Sequence, residues 1–412
     1  MSRHSRGRRR LLDLLAAVLL AAGAFALYVS TLAPTVLAGD GGEFQFVPYL
    51  LGVAHPTGYP LYSLVGWVWT HLVVMGDVAY RMNLFSALWS ALAVGLLYPT
   101  ARLLLRQAFP DLPPAALRLA AALSSVALAV TPTLWSQSII AEVYSLQLFL
   151  IVLLLYFLLR WSERRPETLS AGDETGGTRF LLPAAACLGL GLAHHSTTLL
   201  LTPALLVFVW LTDRRVFRDR RLVLKLLVVA VLPLLLYLYL PWRAPHTPYL
   251  RLPLDGSREL VLYDNTLAGL VSFVMGGPFG GYVDLSVDLG ARLGMAWGFL
   301  RDELGWVALA LALGGLARLI LTRRWALLAL TGLVFAATVA FNLVYTIGDI
   351  YVLFIPAYFI FVLWMAVGVA SLTRILAKAW LLLEHRIGRG KSPERSWTSV
   401  WSAFAWMVFV VP

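Results

Sequence analysis

The sequence of 412 residues is poor in charged residues and has only one cysteine. Charged side chains make up 13% of the chain and apolar ones 60%, whereas an ordinary soluble protein has about 25% charged residues. Because this polar fraction is too small to cover a soluble fold, the composition predicts an integral membrane protein. The single cysteine, Cys187, lies in an apolar stretch, which excludes a disulfide framework and a cysteine metal cluster.

Lysine is also scarce, since Lys225, Lys378 and Lys391 are the only lysines among 33 basic residues. The net charge of +11 therefore comes almost entirely from arginine. In a soluble chain such an excess would suggest nucleic-acid binding. In a membrane protein, arginines retained on the cytoplasmic side explain it, so we expect no nucleic-acid partner.

Long apolar runs predict an all-α polytopic membrane protein, because a bilayer-spanning helix needs about 20 largely apolar residues. Leu11–Leu32 is such a run and follows five arginines. It is longer than the apolar core of a signal peptide, so we interpret it as a retained first helix. Together with the runs below, it predicts about 10 to 12 transmembrane helices. The further runs lie near 60–75, 83–101, 119–135, 143–160, 180–194, 197–212, 222–241, 303–321, 325–346, 351–373 and 397–412.

The runs predict one membrane domain over residues 1–382, followed by a basic cytoplasmic segment over 383–396. Residues 397–412 begin another apolar helix, which is either truncated or short and interfacial. Two outer loops are large, 33–58 and 242–301. The second is rich in Gly, Pro and Asp, which predicts a small outer subdomain or a pair of amphipathic helices on the membrane surface.

The distribution of arginine orients the chain. Six clusters hold 27 of the 33 basic residues, so we place them and the N-terminus in the cytoplasm. The opposite side keeps six arginines and twelve acidic residues. This orientation requires 180–212 to form two short helices with His194 and His195 at their outer tip. It also requires 31–82 to make no net crossing, so 60–75 is either re-entrant or paired with another segment.

Polar residues near helix ends are functional candidates in so apolar a chain, because each is costly to hold near lipid. The first group is GDGGEF, Gly39–Phe44. Asp40 and Glu43 are three residues apart, so a helical turn there places both carboxylates on one face. The alternative is an acidic solvated loop. VAHPTGYPLY follows at Val53–Tyr62, where two prolines and a glycine stiffen a turn around His55.

Further polar groups fall on the same predicted side of the membrane, and their convergence indicates a catalytic or transport site. Arg243 is one of six basic residues there, which makes it a candidate anion ligand; anchoring in lipid headgroups is the alternative. His55 has a comparable alternative as a simple capping group. The candidate substrate-binding residues are His55, Tyr59, Glu142, Tyr144, His194, His195, Arg243 and Asp349.

Several motifs together resemble a known family. APTVLAGDGGEFQ (33–45) and GVAHPTGYPLY (52–62) are similar to the opening of a GT-C glycosyltransferase family long described only as a domain of unknown function. That family includes the eukaryotic transmembrane protein O-mannosyltransferases. QSIIAEVYSLQ, GLGLAHHSTTLLL, LPWRA, GGPFGGY and YTIGDIYVLFIPAY recur in the same order, so the resemblance covers about residues 30–358.

The resemblance implies a GT-C-type fold whose first outer loop carries an acidic catalytic residue. It also implies inverting transfer of a sugar, by default mannose, from a polyprenyl-phosphate donor to an acceptor hydroxyl on the outer face. The default acceptor is a protein Ser or Thr, with a glycan or a lipid as the alternatives. Asp40 matches the acidic position and is our candidate base. We expect Asp40 to be partly desolvated, and Glu43 to orient Asp40 or to bind the acceptor.

The leaving phosphate needs cationic or hydrogen-bonding partners. Arg243 is the first candidate, ahead of the histidines, while Glu142 and Asp349 would hold sugar hydroxyls or pair with these basic groups. We expect no metal cofactor, because the resemblance is to enzymes that use monophosphate lipid donors without one. The alternative is a divalent ion that bridges Asp40, Glu43 and a histidine.

The main competing function is a polytopic transporter or lipid flippase. Such proteins usually carry their charged sites near mid-bilayer and show internal repeats. This sequence has its acidic residues at one membrane face and no repeat of fixed period, which favours the transferase. A third interpretation is a non-catalytic partner subunit, in which Asp40 and Glu43 would be dispensable. We expect the plasma membrane as the location, with membrane lipid, the lipid-linked donor and the acceptor as partners.

Overall fold

The computed structural model describes residues 3–163, 178–255 and 258–386. They form α-helices joined by short 3-10 segments, and one antiparallel β-hairpin in which Leu252 pairs with Leu260. The segment predicted at 397–412 lies outside the described residues, as do residues 387–396 of the predicted basic segment. The helices and strands are α1 (Arg3–Ser30), α2 (Asp40–Leu50), α3 (Pro60–Leu72), α4 (Val78–Ala108), α5 (Pro114–Ala129), α6 (Pro132–Ser138), α7 (Tyr144–Glu163), α8 (Leu181–His194), α9 (Thr202–Asp213), α10 (Arg220–Val231), α11 (Tyr239–Arg243), β1 (Arg251–Asp255), β2 (Arg258–Val261), α12 (Leu267–Val274), α13 (Leu289–Leu321), α14 (Trp325–Val344) and α15 (Ile355–Arg386).

Eight helical segments in the described part of the chain are long and apolar enough to cross a membrane. The number rises to nine if α5 and α6, which are bent by 63° relative to each other, form one span. A multi-pass, mainly helical membrane protein is thus confirmed. The count is below the predicted 10 to 12 because α3 has 13 residues and α8 has 14. At 1.5 Å per residue each is about 20 Å long, shorter than the roughly 30 Å hydrocarbon core.

The centre of the bundle is the first half of α15, which is apolar on all sides and almost wholly buried. It packs against α13, α14 and α5, while α4 packs against α1, α5 and α7. The backbones of α13 and α15 meet at Gly315 and Gly368. A methyl group at Gly315 would overlap the Trp364 carbonyl oxygen, and one at Gly368 would overlap that of Leu311. Small residues allow this close approach, as is common between membrane helices.

The two large loops are more ordered than the sequence indicated. The loop predicted over 33–58 contains α2, which begins with Asp40 and Glu43 in its first turn, where acidic groups complement the helix dipole. The loop predicted over 242–301 contains the β-hairpin, α12 and the start of α13. Neither strand was predicted, because the hairpin is short and exposed and so lacks the apolar alternation of a half-buried strand.

Candidate active site

A cavity of 490 Å³ lies where the starts of α2 and α7 and the ends of α8 and α14 meet at one boundary of the bundle. The first residues of α2 and α7, and the loops that follow α2, α8 and α14, all contribute to its wall. Phe279 and Tyr282, from the 3-10 segment after α12, also line it. The predicted site residues that line the cavity are Asp40, His55, Tyr59, Tyr144, His195 and Asp349. Convergence of separate polar groups at one end of the bundle was therefore predicted from the sequence.

Asp40 is the first residue of α2 and is exposed, so the expected partial desolvation of this carboxylate is wrong. Two buried amides hold the chain that leads to it. The Oε1 atom of Gln45 accepts from the Leu37 N–H at 3.0 Å, and the Nδ2 atom of Asn83 donates to the Ala33 carbonyl oxygen at 2.8 Å. Gln45 Nε2 also donates to Asn83 Oδ1 at 3.0 Å. Neither amide is among the residues predicted for the site, although an asparagine at the start of an apolar run was a signal.

Glu43 is paired with His55 and does not orient Asp40. Its Oε1 atom accepts from the His55 backbone N–H at 2.8 Å, and Oε2 lies 2.5 Å from His55 Nδ1. Burial alone would lower the pKa of His55. The hydrogen bond with Glu43 and the negative charges of Glu43, Asp40 and Asp349 outweigh burial, so the pKa of His55 is raised above its usual value. The site therefore favours a protonated imidazole ring at the cavity wall.

His195 has the opposite electrostatic character. Burial, together with His194 and His55, lowers the pKa of His195 to about 3, so the ring is neutral. Its Nδ1 atom accepts from the Thr197 backbone N–H at 3.3 Å, which places the proton of the neutral ring on Nε2. Tyr59, held at φ +43°, packs between the two rings, with centroid distances of 5.3 Å to His55 and 5.7 Å to His195.

His194 and Glu142 lie behind the cavity wall and not in it. His194 is fully buried, and its Nε2–H donates to the Val143 carbonyl oxygen at 2.8 Å. Glu142 is 9% exposed, in the turn before α7. Burial, and then the charge of Asp40, raises the pKa of Glu142 to about 8, so this carboxyl group is mostly protonated at neutral pH. The structure thus gives both residues a supporting position beside the site.

Arg243 lies outside the cavity lining. Its Nε atom donates to the Leu51 carbonyl oxygen at 2.6 Å, and Nη2 donates to that of Leu50 at 3.2 Å. The guanidinium group therefore satisfies carbonyls at the C-terminal end of α2, where a positive charge is favourable. No arginine or lysine is among the described residues that line the cavity. Among the described residues that line the cavity, His55 is the basic side chain best placed to bind an anion.

Comparison with known proteins supports the same family. Residues 40–217 match the N-terminal domain of protein O-mannosyl-transferase TMEM260. The mouse protein O-mannosyl-transferase TMEM260 is 31% identical over 220 residues, which cover 52% of this chain and 28% of the relative. The Dictyostelium discoideum relative of the same name is 26% identical over 311 residues, which cover 72% of this chain and 35% of the relative. The matches thus span about a third of these relatives' length, and the resemblance seen in the motifs is confirmed.

Solved structures show the fold. ArnT from Cupriavidus metallidurans bound to undecaprenyl phosphate is 17% identical, with a TM-score of 0.56 over 91% of this chain and 66% of that one. The oligosaccharyltransferase of Archaeoglobus fulgidus is 15% identical, with a TM-score of 0.56 over 96% of this chain and 54% of that one. The GT-C fold predicted from the motifs is therefore confirmed.

Proposed function

We propose that this protein is a membrane hexosyltransferase that moves a sugar, by default mannose, from a polyprenyl-phosphate donor to an acceptor hydroxyl. The observation that carries the proposal is one cavity in which Asp40 and Asp349 face the Glu43-paired His55. The names of the relatives support mannose and a protein Ser or Thr acceptor. The undecaprenyl phosphate bound to ArnT supports a lipid-linked donor.

Asp40 acts as the base in this proposal. Its carboxylate takes the proton of the acceptor hydroxyl while the hydroxyl oxygen attacks the anomeric carbon. The bond between that carbon and the phosphate oxygen breaks on the opposite face, so the anomeric configuration is inverted. The leaving polyprenyl phosphate keeps the electron pair and needs no proton, because a phosphate is already a good leaving group. The exposure of Asp40 suits a base that must meet a protein acceptor.

His55 stabilises the negative charge that develops on the leaving phosphate. Its imidazolium is the cationic group of the described cavity wall, and Glu43 positions the ring and keeps it protonated. His195 supplies a neutral Nε2–H donor to the phosphate or to a sugar hydroxyl. Asp349, exposed in the same wall, accepts hydrogen bonds from sugar hydroxyls. Glu43 is accordingly a positioning residue in this scheme.

The proposed location is the plasma membrane, with the N-terminus in the cytoplasm and the cavity on the outer face. The support is the arginine distribution, because six clusters in the sequence hold 27 of the 33 basic residues and the site motifs lie outside these clusters. The proposed partners are the lipid-linked donor, a protein or glycan acceptor and membrane lipid.

We propose that sugar transfer needs no metal ion, and the alternative is a divalent ion bound at the cavity. Ligand atoms of Asp40, Glu43 and His55 all lie within 4.8 Å of one another, so these three residues could hold a divalent ion. The 2.5 Å contact between Glu43 and His55 already satisfies both groups, and their hydrogen bond would have to break for both to bind a metal through the same atoms.

The test uses the full chain, purified and reconstituted in lipid. It is offered several polyprenyl-phosphate sugars together with Ser/Thr peptides, and the product is analysed for sugar identity and anomeric configuration. We expect a glycosylated peptide whose anomeric configuration is inverted relative to the donor. A product with retained configuration would refute the single-displacement mechanism. If no donor supports transfer and sugar or lipid crosses the bilayer instead, the protein is a transporter or flippase.

A further inference from the structure

A second cavity, of 540 Å³, lies at the opposite end of α1 and α4 from the candidate active site. Ser86, near the start of α4, hydrogen-bonds to Glu142 beside the active site, whereas Arg102 near its end lines the second cavity. Sixteen residues separate them, which corresponds to about 24 Å along a helix. The two cavities therefore lie near opposite boundaries of the membrane.

The lining of this cavity carries an excess of positive charge. Its charged residues are Arg10, Asp13, Arg102, Arg106 and Arg118. Asp13 is shared, because it forms ion pairs with Arg102 and, at 2.8 Å, with Arg118. One carboxylate thus meets two guanidinium groups. Arg106 forms an ion pair with Glu163 at 3.1 Å, at a partly exposed position where such a pair contributes little.

Arg102 has a polar atom in this cavity wall that the described residues do not satisfy. The residue is only 6% exposed, and its Nε–H is buried without a hydrogen-bond partner among the described residues. A buried donor on a charged group that lacks a partner is costly. Guanidinium groups pair best with phosphate and carboxylate oxygens, which accept two parallel N–H bonds. An anion with several acceptor oxygens in this cavity could accept a hydrogen bond from this Nε–H.

We propose that this cavity binds the anionic phosphate headgroup of a membrane lipid. The lining also has an apolar part, which includes Phe109, Leu112 and Leu117. Immediately after Arg10, α1 exposes a row of apolar side chains on which acyl chains can lie: Leu11, Leu14, Leu15 and Val18. A free phosphate ion would use the arginines but not this apolar track. Basic cavities at membrane boundaries are typical sites for anionic lipid headgroups.

The test measures lipid binding by native mass spectrometry of the full chain. The probes are phosphatidylglycerol, phosphatidylcholine and inorganic phosphate. The variant is the double substitution Arg10→Ala with Arg106→Ala, because both side chains are exposed and their loss leaves the Asp13 pairs intact. The control is Arg220→Ala with Arg221→Ala at the start of α10, which makes the same change in net charge at two exposed positions.

We expect the wild type to prefer phosphatidylglycerol over phosphatidylcholine. Each arginine removed from the cavity should weaken phosphatidylglycerol binding about fivefold, and the pair about 25-fold. The control should change it less than twofold, and excess inorganic phosphate should not displace the lipid. Equal binding of the two lipids, or equal losses in the variant and the control, would overturn the site. Displacement by inorganic phosphate would overturn the lipid as its occupant.

Discussion

Replacing Glu43 by Gln removes the charge that holds His55 as an imidazolium while preserving the shape of the side chain. In the wild type, Glu43 contacts both the His55 backbone N–H and its Nδ1 atom, and both side chains are about three-quarters buried. A hydrogen bond to a charged group contributes about 1.5–3 kcal/mol. If that energy is expressed in the transition state, kcat/KM for sugar transfer falls roughly 10- to 150-fold.

The pH dependence gives the sharper measurement. Burial alone would lower the pKa of His55. The hydrogen bond with Glu43 is the chief effect that opposes burial, and the pKa is raised above its usual value. The cation is therefore present at low pH and is lost as pH rises through this raised pKa. In the Glu43→Gln variant the pKa of His55 falls, so the alkaline decline of kcat/KM moves to lower pH. The control is Glu259→Gln, an exposed glutamate of the β-hairpin.

The assay is transfer from a polyprenyl-phosphate sugar to a peptide, with kcat/KM measured across the pH range for the wild type and both variants. Glu259→Gln should follow the wild-type curve. If Glu43→Gln lowers the rate but leaves the alkaline decline at the wild-type pH, then His55 is not the titrating cation. The role that we give to the pair would then be refuted.

Three further predictions concern packing, positioning and metal. Gly315→Ala should destabilise the protein by about 1–3 kcal/mol, because the added methyl group overlaps α15, and the loss should appear as a lower Tm. The neighbouring Gly314 has open space around it and should tolerate alanine, so it is the control. Asn83→Ala frees the chain before Asp40 and should lower kcat about tenfold with a smaller change in KM; an unchanged kcat would show that this anchor is dispensable. A chelator should leave the transfer rate unchanged, and loss of activity restored by a divalent metal would instead assign the ion to Asp40, Glu43 and His55.

The parts of the fold that depend on local composition could be predicted from the sequence. A span is set by about 20 consecutive apolar residues, so the long helices were recognisable. The polar groups that come after α1, α8 and α14 in the sequence were recognisable because each is exceptional in an apolar chain. Since these helices end at the same boundary, Asp40, His195 and Asp349 were expected to converge, and they line one cavity.

The parts that depend on long-range packing could not be predicted. Glu43 lies three residues from Asp40 on α2, yet its partner is His55 on the following loop, because the chain turns back after Leu51. Arg243 reaches carbonyl oxygens almost 200 residues earlier in the chain, a contact that no local pattern encodes. The exposure of Asp40 and the burial of Glu142 likewise depend on which helices cover them.

The central claim is that Asp40 is the base of a sugar transfer from a polyprenyl-phosphate donor. Its most direct test is the rate of transfer by the purified full chain for the wild type, Asp40→Asn and Asp77→Asn. Asp77 makes the matched control, because it is an acidic residue at the start of α4 whose capping role asparagine can fill. We predict that Asp40→Asn lowers kcat by about 10²- to 10⁴-fold while Asp77→Asn stays within about twofold of the wild type. Wild-type turnover by a folded Asp40→Asn variant would contradict the account.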